Sequence, residues 1–137
     1  MKQINEPRGV AAVAAAFATA RAERRAALIT FLTAGYPSLA ESASLARALQ
    51  DGGADLIELG VPFSDPMADG PTIQRASYAA LEAGVTPRDC LNLAATLRRE
   101  GVTIPLLLMG YYNPILSYGP EAFAQDTSAA GVDGLIV

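Results

Sequence analysis

Three carboxylates and a small group of aromatic residues are the chemistry-bearing side chains of this chain. Glu58 interrupts an apolar run, LIELGV. In an extended strand, alternation puts Leu56, Glu58 and Gly60 on one face and Ile57, Leu59 and Val61 on the other. An ionised carboxylate is costly to bury in such a setting, and a carboxyl that exchanges its proton readily suits general acid or base work. The competing structural reading is a Glu58 paired with an arginine inside the core. Asp65 and Asp69 follow in FSDPMADGP, where Pro62, Pro66, Gly70 and Pro71 stiffen the loop. Either aspartate alone reads as a turn residue; beside a buried glutamate they become candidates for fixed negative charge. Three carboxylates could hold a metal on paper, but their spacing matches no cation loop such as an EF-hand, and no metal is expected.

Tyr111, Tyr112 and Asn113 follow a later apolar run, while Phe31 and Met109 lie late in two such runs. Together they could line a pocket for a flat, mostly apolar substrate. Individually, Phe31 and Met109 also read as core filling. Cys90 falls on a helical segment and reads as inert packing.

Composition narrows the chemistry further. The 137 residues include no His and one Cys. Imidazole relays, histidine metal sites, an intrachain disulfide and a cysteine metal cluster are therefore excluded for this chain. Hydrophobic residues make up 51% and charged residues 18%, which supports a packed core rather than a disordered chain. The net charge is −4 and no Lys/Arg block occurs, so no nucleic-acid partner is expected. No apolar run is long enough to span a membrane. The segment GVAAVAAAFATA, behind Lys2 and Arg8, could be compared with a secretory leader. Its alanine content favours an amphipathic helix instead, with Val10, Val13, Ala14 and Phe17 on the apolar side. A cytoplasmic protein follows from that reading.

Positioning these residues requires strands and helices in alternation. Four apolar runs predict strands: Leu28–Thr33, Leu56–Val61, Ile104–Met109 and Leu135–Val137. Their near-continuous apolar character predicts cover on both faces, as in a parallel sheet. Between them lie three capped helical segments. Ser38 with Glu41 predicts a capping box and Gly52-Gly53 a stop. Thr86, Pro87 and Asp89 start the second, and Gly101 ends it. Gly119, Pro120 and Glu121 start the third, and Gly131 ends it. GADLIEL, GVTIPLLL and GVDGLIV are three versions of one helix-to-strand junction, a weak internal repeat. The unit that begins at Leu56 is longer than its neighbours, and its extra residues sit just after the strand, in VPFSDPMADGPTIQRASYAALEAG. That extra segment sits at the carboxyl end of a strand, where parallel α/β folds place their chemistry. Residues 1–137 are expected to form one domain that is the N-terminal part of a (β/α)8 barrel. Eight such units, about 250 residues, would close it.

The segment LIELGVPFSDPMADGPTIQ resembles the signature of the tryptophan synthase alpha chain. The resemblance extends to FLTAGYP, LMGYYNPI and GVDGLIV, and so covers nearly the whole chain. It implies a (β/α)8 barrel with an extra N-terminal helix across its bottom. It also implies retro-aldol cleavage of indole-3-glycerol phosphate to indole and glyceraldehyde 3-phosphate. Glu58 matches that family's acid–base glutamate, and Asp69 the aspartate that stabilises positive charge at the indole nitrogen. Phe31, Met109, Tyr111 and Ile136 match positions lining the indole pocket. Pro62, Asp65, Pro66 and Asn113 match loop positions near the beta subunit, which receives the indole within an alpha2beta2 tetramer. Pyridoxal phosphate belongs to that beta subunit, so the resemblance implies no cofactor in this chain. The family's phosphate site lies in the second half of the barrel, outside these residues, which leaves an inactive half-barrel with a folding or partner-binding role as the alternative. Another phosphate-binding barrel and a flavodoxin-like domain fit less well; the flavodoxin-like reading needs a phosphate loop after the first strand, where TAGYPS has a single glycine.

Overall fold

The computed structural model describes residues 7–137, so Lys2 lies outside the described residues. The elements run α1 (Val10–Ala22), β1 (Ile29–Thr33), α2 (Leu39–Asp51), β2 (Leu56–Gly60), α3 (Pro71–Glu82), α4 (Pro87–Arg99), β3 (Leu106–Met109), α5 (Tyr112–Tyr118), α6 (Pro120–Ala129) and β4 (Gly134–Ile136). All three strand pairings are parallel, in the order β1-β2-β3-β4. Each predicted strand is present. β3 starts two residues late because Pro105 has no N–H to give the ladder; its carbonyl still accepts from Ile57 N at 3.0 Å.

The helix ends follow their capping residues. Thr86 and Asp89 form the reciprocal capping box at α4, and the hydrogen bonds from Thr86 hold the Asp89 carboxyl below its usual range. At α2 the box is modified. Ser38 accepts from Glu41 N, but the Glu41 carboxylate accepts a hydrogen bond from the Ser38 hydroxyl rather than from a backbone N–H. Helices α3 and α5 go beyond the three that the capping signals announce. α3 occupies the extra segment after β2 and opens on Pro71, where no intrahelical N–H is needed. α5 contains Pro114, which its first turn tolerates for the same reason.

One face of the sheet carries the core. Ile57, Leu59, Leu106 and Leu108 are at most 2% exposed and pack among Ala43, Ala46, Leu93, Ala94, Leu97 and Phe123 of α2, α4 and α6. Each such side chain contributes about 1.5–3 kcal/mol on burial. On the other face the expected cover is uneven: Leu56 is 2% exposed and Thr33 6%, whereas Ile29 is 43% exposed and Phe31 36%. Helices α2, α4 and α6 cover a single face, and Ile29 and Phe31 of β1 are exposed on the other.

The apolar side of α1 also differs from expectation. Val10 and Phe17 are exposed, as is Ala14, and the buried residues are Ala12 and Ala20. With Ala16 these form an i, i+4, i+8 row, and Ala12 and Ala16 border the same surface cleft as Ala54–Asp55 and Thr103–Pro105, the backbone entering β2 and β3. Small side chains allow the helix to approach backbone there, so size rather than hydropathy selects the packed face.

Candidate active site

The register places the candidate residues along one face of the sheet, toward the strands' carboxyl ends. Phe31 pairs with Glu58, Gly60 with Met109, and Met109 with Ile136. Phe31, Met109, Tyr111 and Ile136 border one cavity of about 400 Å³, with Asp69 also in its wall. That volume suits a small bicyclic aromatic molecule. Gly60 is essential to its shape: a Cβ there would lie 2.5 Å from Phe31 Cζ. The ring of Phe31 lies across this glycine, which no larger residue would permit.

Glu58 is half-buried in β2. Among the described residues it forms no ion pair and no hydrogen bond, so the reading of Glu58 as a core partner of an arginine is excluded within them. Its side chain is not part of the cavity wall. It stands two positions before Gly60, on the same face of the strand.

The loop after β2 carries Asp69 and is tied from two sides. Gln74 of α3 donates through Nε2 to the carbonyls of Asp69 at 2.9 Å and Pro66 at 3.4 Å. Tyr111, at the end of β3, accepts from Ala68 N at 2.8 Å and donates to Asp69 Oδ2 at 3.3 Å. The Tyr111 ring packs on Phe63 with centroids 5.1 Å apart. Pro62 and Pro66 are buried and shape the loop, whereas Asp65 and Asn113 are exposed on its rim and on α5. Ser64 donates to Asp65 Oδ2 at 2.6 Å. The sequence reading did not single out Gln74 or assign Gly60 its role. Gln74 sits one turn into α3, a position recognisable only once Pro71 is taken as a helix start.

Cys90 is fully buried on α4, and burial pushes its thiol up to about 12. It takes no part in this site. Among the described residues no cluster of three or more His, Cys, Asp or Glu side chains could hold a metal ion, and no helix is long and apolar enough to cross a membrane.

A family model described as the tryptophan synthase alpha chain matches residues 17–137. The chain belongs to the tryptophan synthase alpha chain family. It is 54% identical over 124 residues to the tryptophan synthase alpha chain of Rhizorhabdus wittichii, covering 90% of this chain and 46% of that protein. It is also 54% identical over 121 residues to the tryptophan synthase of Saccharomyces cerevisiae, covering 88% of this chain and 17% of the yeast protein. Among solved structures, tryptophan synthase subunit alpha from Legionella pneumophila superposes with a TM-score of 0.88 at 42% identity, covering 92% of this chain and 48% of that one. The aminoacrylate-bound form of Mycobacterium tuberculosis tryptophan synthase gives a TM-score of 0.85 at 46% identity, covering 90% and 50%. The chain thus spans about half the length of the alpha chains it matches. Its four parallel strands and their helices correspond to about half of the family's (β/α)8 barrel.

Proposed function

We propose that this chain supplies the acid–base and indole-binding part of a lyase that splits indole-3-glycerol phosphate into indole and glyceraldehyde 3-phosphate. The supporting observation is the single cavity that gathers Phe31, Met109, Tyr111 and Ile136 with Asp69 in its wall. The reaction breaks the carbon–carbon bond between the indole ring and the glycerol chain. A proton enters at the ring carbon, and one leaves the adjacent glycerol hydroxyl as it becomes the aldehyde. Glu58, without an internal partner, is the proton carrier. Asp69 faces the indole N–H, where positive charge builds as the ring carbon is protonated. Fixed charge aimed at developing charge is often the largest catalytic contribution.

On this reading indole passes to a beta subunit in an alpha2beta2 tetramer, with Pro62, Asp65, Pro66 and Asn113 marking the loops nearest that contact. Pyridoxal phosphate chemistry is left to the beta subunit, and the protein works in the cytoplasm. The deciding experiment is Glu58→Gln in the alpha chain spanning the whole barrel. Indole release should fall by about 10²–10⁴-fold; a rate within about threefold of wild type overturns the assignment.

A second reading, in which residues 1–137 by themselves fold or bind a partner without turnover, is favoured by the exposed apolar positions of β1. Assaying the 137-residue chain alone tests this second reading. Indole release from it would overturn this second reading.

A further inference from the structure

We infer that Tyr111 is the positioning residue for Asp69, acting through its hydroxyl as well as lining the cavity with its ring. This rests on the lyase reading above. A phenolic oxygen has one proton to give and lone pairs to receive. Here Ala68 N–H donates into the Tyr111 oxygen at 2.8 Å, and the hydroxyl proton is directed at Asp69 Oδ2, 3.3 Å away. One side chain therefore fixes both the backbone immediately before Asp69 and the carboxylate itself.

The anchor is rigid. Tyr111 lies one residue beyond β3, after Gly110, and forms the N-cap of α5, and its ring is held against Phe63. Gln74 immobilises the same loop from the opposite side through the Asp69 carbonyl. Among the described residues Asp69 Oδ1 has no hydrogen-bond partner. The two carboxylate oxygens thus divide their tasks: Oδ2 is held by the protein, and Oδ1 is left for an N–H donor in the cavity. The 3.3 Å separation is at the long end for O–H···O, and catalytic hydrogen bonds commonly shorten once substrate is bound. Positioning of this kind acts on the rate more than on binding, because charge at the indole nitrogen develops only during the reaction.

The test is a double-mutant cycle in the alpha chain spanning the whole barrel, with Tyr111→Phe, Asp69→Asn and the pair, assayed by indole release. Tyr111→Phe keeps the ring and its contact with Phe63. It should lower kcat about tenfold while KM stays within about twofold. In the Asp69→Asn background the same change should cost less than about twofold, because the group it serves is gone. The Ala68 amide should exchange faster with solvent in Tyr111→Phe. Full activity of Tyr111→Phe, or losses that multiply in the double variant, overturns the inference. Full activity of Asp69→Asn overturns the lyase assignment of Asp69 instead, so the two failures are distinguishable.

Discussion

Asp55 and Asp133 make the same set of contacts at two different strand entries. Each lies two residues after a positive-φ glycine, Gly53 and Gly131. Each side chain accepts a backbone N–H from the neighbouring strand's entry, Leu28 N at 2.7 Å for Asp55 and Leu106 N at 3.0 Å for Asp133. Each backbone N–H returns a bond to that same residue, at 2.8 Å in both cases. Each also holds an arginine, Arg25 or Arg98. At the intervening junction the side chain of Gln50 takes this role, accepting from Thr103 N and Ile104 N. The repeat visible in GADLIEL, GVTIPLLL and GVDGLIV is therefore a repeated way of closing the end of the sheet opposite the cavity.

The two arginine pairs differ in depth, and their loss should differ accordingly. The Asp133 side chain is 0% exposed and that of Arg98 10%. Arg98 further donates to the carbonyls of Gly131, Val102 and Ile104, and Asp133 Oδ1 accepts from Gly9 N at the start of α1. Asp133→Ala removes one partner of a buried, hydrogen-bonded ion pair and should cost about 3–5 kcal/mol. Glu100→Gln, which breaks the exposed pair with Arg47, should cost less than about 1 kcal/mol. Urea unfolding of both variants checks the ranking, and equal losses would contradict it.

The Asp55 pair should show itself in acid. The hydrogen bond from Arg25, followed by that from Leu28 N, lowers the Asp55 carboxyl from 3.8 to about 2. A lowered folded-state value means that the unfolded chain binds the proton first as pH falls. The stabilisation is thus complete above about pH 4 and is lost as pH falls toward 2. Urea midpoints of wild type and Asp55→Asn should differ most above pH 4 and converge toward pH 2. A difference that is constant over this range would show that the pair does not titrate as described.

Much of this arrangement was legible in the sequence, and the exceptions share a physical cause. Strands, stops and the α4 cap are local signals, and they appear within a residue or two of their predicted places. Glu58 stood out because a charge in an apolar strand is a local anomaly. The Asp133–Arg98 pair joins residues 35 apart in sequence, and no local pattern announces it. Tyr111 was recognised as a ring, whereas its hydroxyl bonds depend on where the loop after β2 crosses the end of β3. The packed face of α1 was misjudged because close approach of a helix to backbone selects alanine over valine and phenylalanine. The exposure of Ile29 and Phe31 has a different reason: apolar character marks what a strand can bury, and it says nothing of which element does the burying.

Cys90 offers a direct probe of the core. It is fully buried among the side chains packed against the sheet, and its thiol is pushed up to about 12, chiefly by burial. Only the thiolate reacts with alkylating reagents, so the folded chain should resist iodoacetamide at pH 8. Urea should release reactivity in step with the loss of circular dichroism. Rapid labelling without urea would mean that α4 opens locally.

Gly60 separates the shape of the cavity from the stability of the fold. A methyl group at this position meets only the far end of the Phe31 ring, at 2.5 Å from Cζ and 2.8 Å from Cε2, while the nearest backbone atom, Leu32 O, is at 3.5 Å. Phe31 is 36% exposed, so its ring can swing aside rather than strain the sheet. The displaced ring has the cavity to enter. Gly60→Ala should therefore fold with a loss below about 1.5 kcal/mol, within the lower range for an added methyl group. It should raise KM for an indole-bearing substrate by about 10–200-fold, the range for one misplaced methylene in an apolar pocket. Phe31→Leu in the same background should restore part of the affinity by clearing the space. If Gly60→Ala leaves KM unchanged, the substrate does not lie against Phe31, and the cavity serves some other part of the molecule.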